Sequence, residues 1–133
     1  MNPEVWGPGA WTFLHSITMY YPDNPTNEQK MNHKDFFENL QNILPCPTCS
    51  KHYYDNLKKY PLDEALESKD KLTKWLIDIH NEVNKKNNKR TYSYEEVIKI
   101  YDKKYSESKN NYGNKILIGI VIVLILYILI NCR

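Results

Sequence analysis

The sequence feature that most constrains the fold is a pair of cysteines, Cys46 and Cys49, spaced as C-x-x-C at the boundary between two predicted helices. Apolar residues recur at helical spacing before the pair until Pro45 ends the pattern. Residues 50–59 can form the next helix, with Pro47 in its first turn. The start of a helix carries unpaired backbone N–H groups and the positive end of the helix dipole, and both favour thiolates. The pair therefore predicts either a redox disulfide or half of a zinc site.

Helical periodicity on both sides of the cysteine pair predicts an all-α fold, because no segment alternates between apolar and polar residues as a strand does. The chain of 133 residues is long enough for one compact domain, and its net charge of +2 gives no reason to expect nucleic-acid binding. We predict a small bundle of four to five helices. They cover residues 10–21 after a turn at Gly7-Pro8-Gly9, 27–44 with a capping box at Thr26 and Gln29, 50–59, from 68 or 70 to 86, and 93–105.

The C-terminal part of the chain differs in composition from the rest. Residues 106–115 are polar, and residues 116–130 carry no charge and are nearly all Ile, Leu or Val. A helix of about 20 residues spans a bilayer core. We therefore predict a folded domain at 1–105, a polar linker at 106–115 and one transmembrane anchor at 116–131.

The charges around this run predict its orientation. Lysines precede the run and Arg133 follows it, which by the positive-inside rule places the domain on the cytosolic side. The first residues show no signal-peptide pattern. We expect a single-pass, tail-anchored membrane protein.

Aromatic and polar residues share helix faces elsewhere in the chain. Trp11 and His15 are four residues apart on one predicted helix, and His80 and Asn84 are four apart on another. On residue types alone, such residues are more often core side chains that have hydrogen-bond partners. The functional alternative is a flat wall for a planar ligand.

The combination of Trp6-Gly7, Trp11 and His15 with the cysteine pair and the later His80-Asn81-Glu82-Val83-Asn84 resembles the Erv/ALR FAD-dependent sulfhydryl oxidases over residues 5–105. The chain is similar to the compact forms of large cytoplasmic DNA viruses. The resemblance implies a helical bundle that cradles FAD, usually as a homodimer, with Cys46 and Cys49 as the redox disulfide. It implies flavin contacts at Trp6, Gly7, Trp11, His15, Tyr53, His80, Asn81, Val83, Asn84, Lys86, Lys89 and Tyr101, the last where the family often has a tryptophan.

The resemblance also implies an activity. Such an enzyme forms disulfides in protein substrates and passes electrons through the cysteine pair and FAD to O2, producing H2O2. We predict that Cys46 exchanges with substrate and that Cys49 faces the flavin. The second shuttle pair of many members is missing, and Cys132 lies beyond the apolar run. The expected electron donor is therefore a small thioredoxin-like or CxxC protein. The expected location of the protein is a virion or virus-factory membrane.

Two alternatives use the same residues differently. In the first, Cys46, Cys49 and His52 have the spacing of zinc ligands, with His15 or His80 completing the site of a structural or adaptor module. In the second, the chain is a tail-anchored scaffold whose cysteines are inert core residues.

Overall fold

A computed structural model of the chain describes the backbone of residues 1–131 and the side chains of residues 1–107, 118–124, 127–128 and 131. The secondary structure in this part is helical throughout, which confirms the predicted all-α class. Contacts divide the chain into two units, Met1–Tyr94 and Glu95–Arg133. The helices are α1 (Pro3–Tyr20), α2 (Asn27–Ile43), α3 (Pro47–Lys59), a short 3₁₀ helix (Ala65–Glu67), α4 (Lys69–Lys86) and α5 (Tyr94–Asn131).

The first helix begins earlier than the sequence predicts. The Asn2 side chain caps α1 by accepting the backbone N–H of Glu4 at 3.0 Å, and Pro3 occupies the first turn. The helix then runs through Gly7-Pro8-Gly9, so the predicted turn there is wrong. Pro8 removes one backbone donor but does not end α1. Because the helix is continuous, Trp6 and Gly7 share a helical face with Trp11 and Leu14.

The other helix starts follow their capping residues. At the start of α2, the N–H of Gln29 donates to the Thr26 hydroxyl at 3.2 Å, and the Thr26 N–H donates to the Gln29 side chain at 2.9 Å, which confirms the predicted capping box. The Ser68 side chain caps α4. The third helix begins at Pro47, with Cys46 as its N-cap residue.

The core of the Met1–Tyr94 unit joins these helices. In it α1 packs against α4, α2 packs against α3, and the 3₁₀ helix packs against α2 and α4. Phe37 of α2 is fully buried and meets the Trp75 ring edge-on, with ring centroids 5.1 Å apart. Two polar ring groups in this core donate to backbone carbonyls: the Tyr21 hydroxyl to Leu66 at 2.9 Å and the Trp75 indole N–H to Tyr60 at 2.9 Å. These bonds hold the connections around the 3₁₀ helix against the bundle.

The last helix covers the segment that the sequence predicts as linker and anchor. Its backbone is helical through 106–115, and the domain boundaries at 105, 115 and 131 stay predictions. Across the residues whose side chains are described, no helix has an apolar stretch long enough to cross a bilayer. Part of the predicted anchor lies outside those side chains, at 116–117, 125–126 and 129–130. Cys132 and Arg133 are also outside the described residues.

Candidate functional site

A cavity of about 700 Å³ lies within the Met1–Tyr94 unit, between its helices. Cofactor sites fall in the range of roughly 300–1,000 Å³. Helices α1 and α2 supply mainly apolar wall, whereas α3 and α4 supply the polar and reactive groups. The lining residues are Pro3, Trp6, Gly7, Ala10, Trp11, Leu14, Leu40, Leu44, Cys46, Thr48, Cys49, His52, Tyr53, Asp55, Asn56, Glu82, Val83, Lys85, Lys86 and Asn87.

The two cysteines form a disulfide at the start of α3, and both line the cavity. Their Cα atoms are 5.1 Å apart, an ordinary separation for a disulfide. The backbone N–H of Cys49 donates to the Cys46 sulfur at 3.2 Å, so this sulfur is the N-cap of the helix. Both residues are partly exposed. The arrangement places a reducible bond at the positive end of a helix and beside a large cavity.

The zinc alternative requires thiolates at the same two positions. In the structure these sulfurs are bonded to each other. Among the described residues, no cluster of three or more His, Cys, Asp or Glu side chains could hold a metal ion. His52, the third predicted ligand, lines the cavity without joining such a cluster.

Two histidines, the buried His15 and the half-buried His80, form a pair behind the aromatic wall. His15 Nε2 and His80 Nδ1 are 3.1 Å apart, so one ring donates a hydrogen bond and the other accepts it. The Trp11 ring stacks on the His80 ring with centroids 3.8 Å apart and planes 4° apart. This stack fixes the orientation of Trp11, whose ring lines the cavity.

We expect acid to destabilise the protein through this histidine pair. Burial, together with the neighbouring His80, lowers the pKa of His15 from 6.5 to about 3, and burial lowers that of His80 to about 4. Between those values and 6.5 the unfolded chain binds more protons than the folded protein. The pair therefore costs no stability well above the unfolded-state pKa of 6.5, and stability falls as the pH decreases from 6.5 toward the folded-state values. The expected loss is about 3–5 kcal/mol for the pair.

Urea unfolding at about pH 7 and about pH 4.5 measures this effect. His80→Gln should reduce the difference in unfolding free energy between the two conditions. His33→Gln is the matched control, because His33 lies on α2, outside this pair, where it bonds the Gln29 carbonyl and packs edge-on against Tyr21. Equal unfolding free energy of the unchanged protein at both pH values would contradict the expectation.

The predicted flavin contacts lie in several different parts of the structure. Trp6, Gly7, Trp11, Tyr53, Val83 and Lys86 line the cavity, and His15 and His80 support Trp11. Asn81 directs its amide to the backbone of Tyr92, donating at 2.9 Å and accepting at 3.0 Å, and so holds the segment after α4. The carbonyl of buried Asn84 accepts the Lys89 N–H at 2.8 Å where α4 ends. Tyr101 belongs to the other unit, in α5. All of these contacts remain predictions.

The cavity wall also holds polar residues that are not among the predicted site residues. The carboxylate of Glu82 bridges Lys59 and Lys85, at 2.7 Å to each, and accepts the Tyr60 hydroxyl at 3.2 Å. Hydrogen bonds from Lys59 and Lys85 hold the pKa of Glu82 down at about 2. The spacing of Glu82 and Lys85 could have indicated one of these pairs. The link to Lys59, which joins α4 to α3, has no local sequence signal.

The chain is similar in sequence to known proteins. The model of the Erv1/Alr family matches residues 8–106. A probable FAD-linked sulfhydryl oxidase of Acanthamoeba polyphaga mimivirus is 44% identical over 115 residues, which is 86% of this chain and 80% of that protein. The FAD-linked sulfhydryl oxidase ERV1 of Arabidopsis thaliana is 32% identical over 110 residues, which is 83% of this chain but 56% of the plant protein.

Solved structures agree with the sequence relatives. The crystal structure of the FAD binding domain of Erv1 from Saccharomyces cerevisiae superposes with a TM-score of 0.66 and 34% identity, over 70% of this chain and 87% of that one. The yeast Erv1 core gives a TM-score of 0.66 at 33% identity, over 70% of this chain and 77% of that one. The described bundle therefore has the fold of these cores.

Proposed function

The chain belongs to the Erv1/Alr family, and we propose from this that it is an FAD-linked sulfhydryl oxidase working through the Cys46–Cys49 disulfide. It is an enzyme that oxidises thiols to disulfides with O2 as the electron acceptor. The observation that carries the proposal is the position of that disulfide, which opens into a cavity of about 700 Å³.

The residues around the cavity fit FAD. The indole N–H of Trp6 is buried without an acceptor among the described residues, so it can donate to a bound molecule. A Cβ atom built on Gly7 would meet nothing within 4 Å, so the backbone there lies open to the cavity. Trp11 offers a flat ring, and Lys86 brings positive charge to the wall, as a dinucleotide with phosphates requires. When bound, FAD supplies two-electron oxidation of the reduced cysteine pair and delivery of those electrons to O2.

The thiol chemistry takes place at the cysteine sulfurs. A substrate thiolate attacks the Cys46 sulfur, a new substrate–Cys46 bond forms, and Cys49 leaves as a thiolate. A second substrate thiol attacks the substrate sulfur of this mixed disulfide, the product disulfide forms, and Cys46 leaves. Two substrate thiols have then lost two electrons and two protons, and one O2 accepts both to give H2O2. The Cys49 N–H and the start of α3 favour negative charge on the departing sulfurs.

The assignment of Cys46 to substrate exchange and Cys49 to the flavin side is our proposal from their order along the helix. Cys46 is the N-cap residue, outside the first turn, whereas Cys49 lies inside α3. We also propose a small thioredoxin-like or CxxC protein as the electron donor, because the sequence holds one cysteine besides this pair.

Two further proposals concern assembly and location. Val5 and Phe13 are exposed apolar side chains of α1, which supports the homodimer implied by the family resemblance.

The uncharged run at 116–130 supports attachment to a membrane, with the lysines before it supporting a cytosolic position for the oxidase domain. Described side chains of this run, including Ile118, Val123 and Tyr127, are exposed.

Purification of the protein tests the proposed function. We expect a yellow protein with one FAD per chain that consumes O2 when given dithiothreitol and releases one H2O2 per disulfide formed. The absorption spectrum, flavin extraction and an oxygen electrode measure these quantities. Folded protein that neither contains FAD nor binds added FAD would overturn the proposal.

A further inference from the structure

One titratable residue on the cavity wall has no part in the chemistry described so far. His52 lies on α3, is partly exposed and lines the same cavity as both cysteines. It forms no hydrogen bond or ion pair with any residue that the structure describes. A histidine whose side chain faces a reactive cavity and makes no structural bond is available for proton transfer.

Helix geometry directs His52 toward the cysteines. It follows Cys49 by three residues on α3, so the two side chains occupy the same face. Side chains of an α-helix lean back toward its N-terminus, which directs the His52 side chain toward the turn that contains Thr48 and Cys49. All three residues line the cavity, which agrees with this direction.

The reaction needs a proton acceptor at this place. The two substrate thiols bring two protons, which the departing Cys46 and Cys49 thiolates can take up as S–H bonds; before the Cys46–Cys49 bond re-forms, those S–H bonds must break and the protons must leave. We propose that His52 accepts the proton of the Cys49 thiol and releases it to water, acting as the acid–base residue of the redox pair. In this step one S–H bond breaks and one N–H bond forms, while the electron pair of the S–H bond stays on sulfur. The inference rests on the proposed oxidase function.

Other charged and titratable groups share the cavity with His52, and two of them are already held by bonds to other protein groups. Glu82 is bridged by two lysines, and the Tyr53 hydroxyl donates to the Phe37 carbonyl at 2.9 Å with its pKa raised by burial. The described lining of α1 and α2 holds no titratable side chain. The full set on α3 and α4 is Cys46, Cys49, Tyr53, Asp55, Glu82, Lys85 and Lys86, and the Met1 ammonium donates to the Pro45 carbonyl at 3.1 Å just before the pair.

The first experiment compares the holoenzyme with His52→Gln and with Lys51→Gln, an exposed neighbour on α3. Dithiol-dependent O2 consumption is measured from about pH 6 to about pH 9, with FAD content as the folding control. We expect His52→Gln to lose about tenfold in kcat near neutral pH and less at high pH, where thiolate forms without a base. Added imidazole should restore part of the rate in His52→Ala. Lys51→Gln should match the unchanged protein.

The second experiment uses a readout other than oxidase activity. In the reduced protein stripped of FAD, the rate of alkylation by iodoacetamide reports the thiolate fraction of the pair. We expect this rate to be lower in His52→Gln near neutral pH and to approach that of the unchanged protein at high pH. Identical pH profiles of kcat and alkylation in the two proteins would overturn the role of His52. An unchanged protein without oxidase activity would instead overturn the proposed function.

Discussion

Cys49→Ser is expected to abolish thiol oxidation, with a loss in turnover on the order of 10³-fold or more. The substitution removes one sulfur of the disulfide that lines the cavity, so no exchange can return the pair to its oxidised form. The change is one atom at a partly exposed position, so FAD content should stay the same. An oxygen electrode and the flavin spectrum measure the two quantities. Cys132→Ser is the matched control and should keep full turnover with protein donors.

The same variant separates the roles of the two sulfurs. In Cys49→Ser, the Cys46 thiolate can attack a substrate disulfide and stay bound to it, because the resolving sulfur is gone. We expect a mixed disulfide through Cys46 with a small CxxC partner, recoverable on non-reducing gels and identified by mass spectrometry. Cys46→Ser should also stop turnover but trap little partner. Preferential trapping by Cys46→Ser would reverse the assignment.

Gly7→Leu is expected to stabilise the FAD-free protein and to weaken FAD binding. Glycine inside a helix costs about 0.5–1 kcal/mol relative to a good helix former, and a side chain at Gly7 meets no protein atom within 4 Å of its Cβ. That side chain would occupy space in the cavity. We expect FAD affinity to fall by about 10- to 100-fold, equivalent to about 1–3 kcal/mol.

Gly9→Leu is the matched control, because Gly9 is also in α1 with open space at its Cβ but is exposed and does not line the cavity. It should give the same gain in unfolding free energy and leave FAD affinity unchanged. Thermal unfolding with and without FAD, together with flavin titration, tests both variants. Equal FAD affinity in the two would show that FAD does not occupy the space beside Gly7.

Sequence patterns predicted the structural features that depend on residues close together in the chain. The Thr26 and Gln29 capping box and the placement of the cysteine pair at a helix start depend on neighbours within four residues, and the structure has both. The turn at Gly7-Pro8-Gly9 was predicted wrongly because α1 starts at Pro3, four residues before Gly7, and packs against α4, a contact that the local sequence does not show and that can offset the cost of Pro8.

Sequence patterns did not predict contacts between segments that are distant in the chain. The sequence indicated that His80 needs a polar partner, but it did not identify His15, because the two are brought together only by the packing of α1 on α4. The bond from Asn81 to Tyr92 and the Lys59–Glu82 pair have the same origin. The cysteines and the family resemblance predicted the candidate site, whereas the polar residues of the cavity wall could be identified only from the structure.

The sulfur cap of α3 has a consequence for repeated use of the enzyme. Cys46 changes its covalent partner in every catalytic cycle, yet the hydrogen bond from the Cys49 N–H reaches it through a sulfur lone pair that no covalent partner uses. The sulfur can accept this bond as part of a disulfide, as a thiol or as a thiolate. The secondary structure around the reactive bond is therefore decoupled from its oxidation state. The same backbone turn can therefore hold Cys46 whether the disulfide is closed or open.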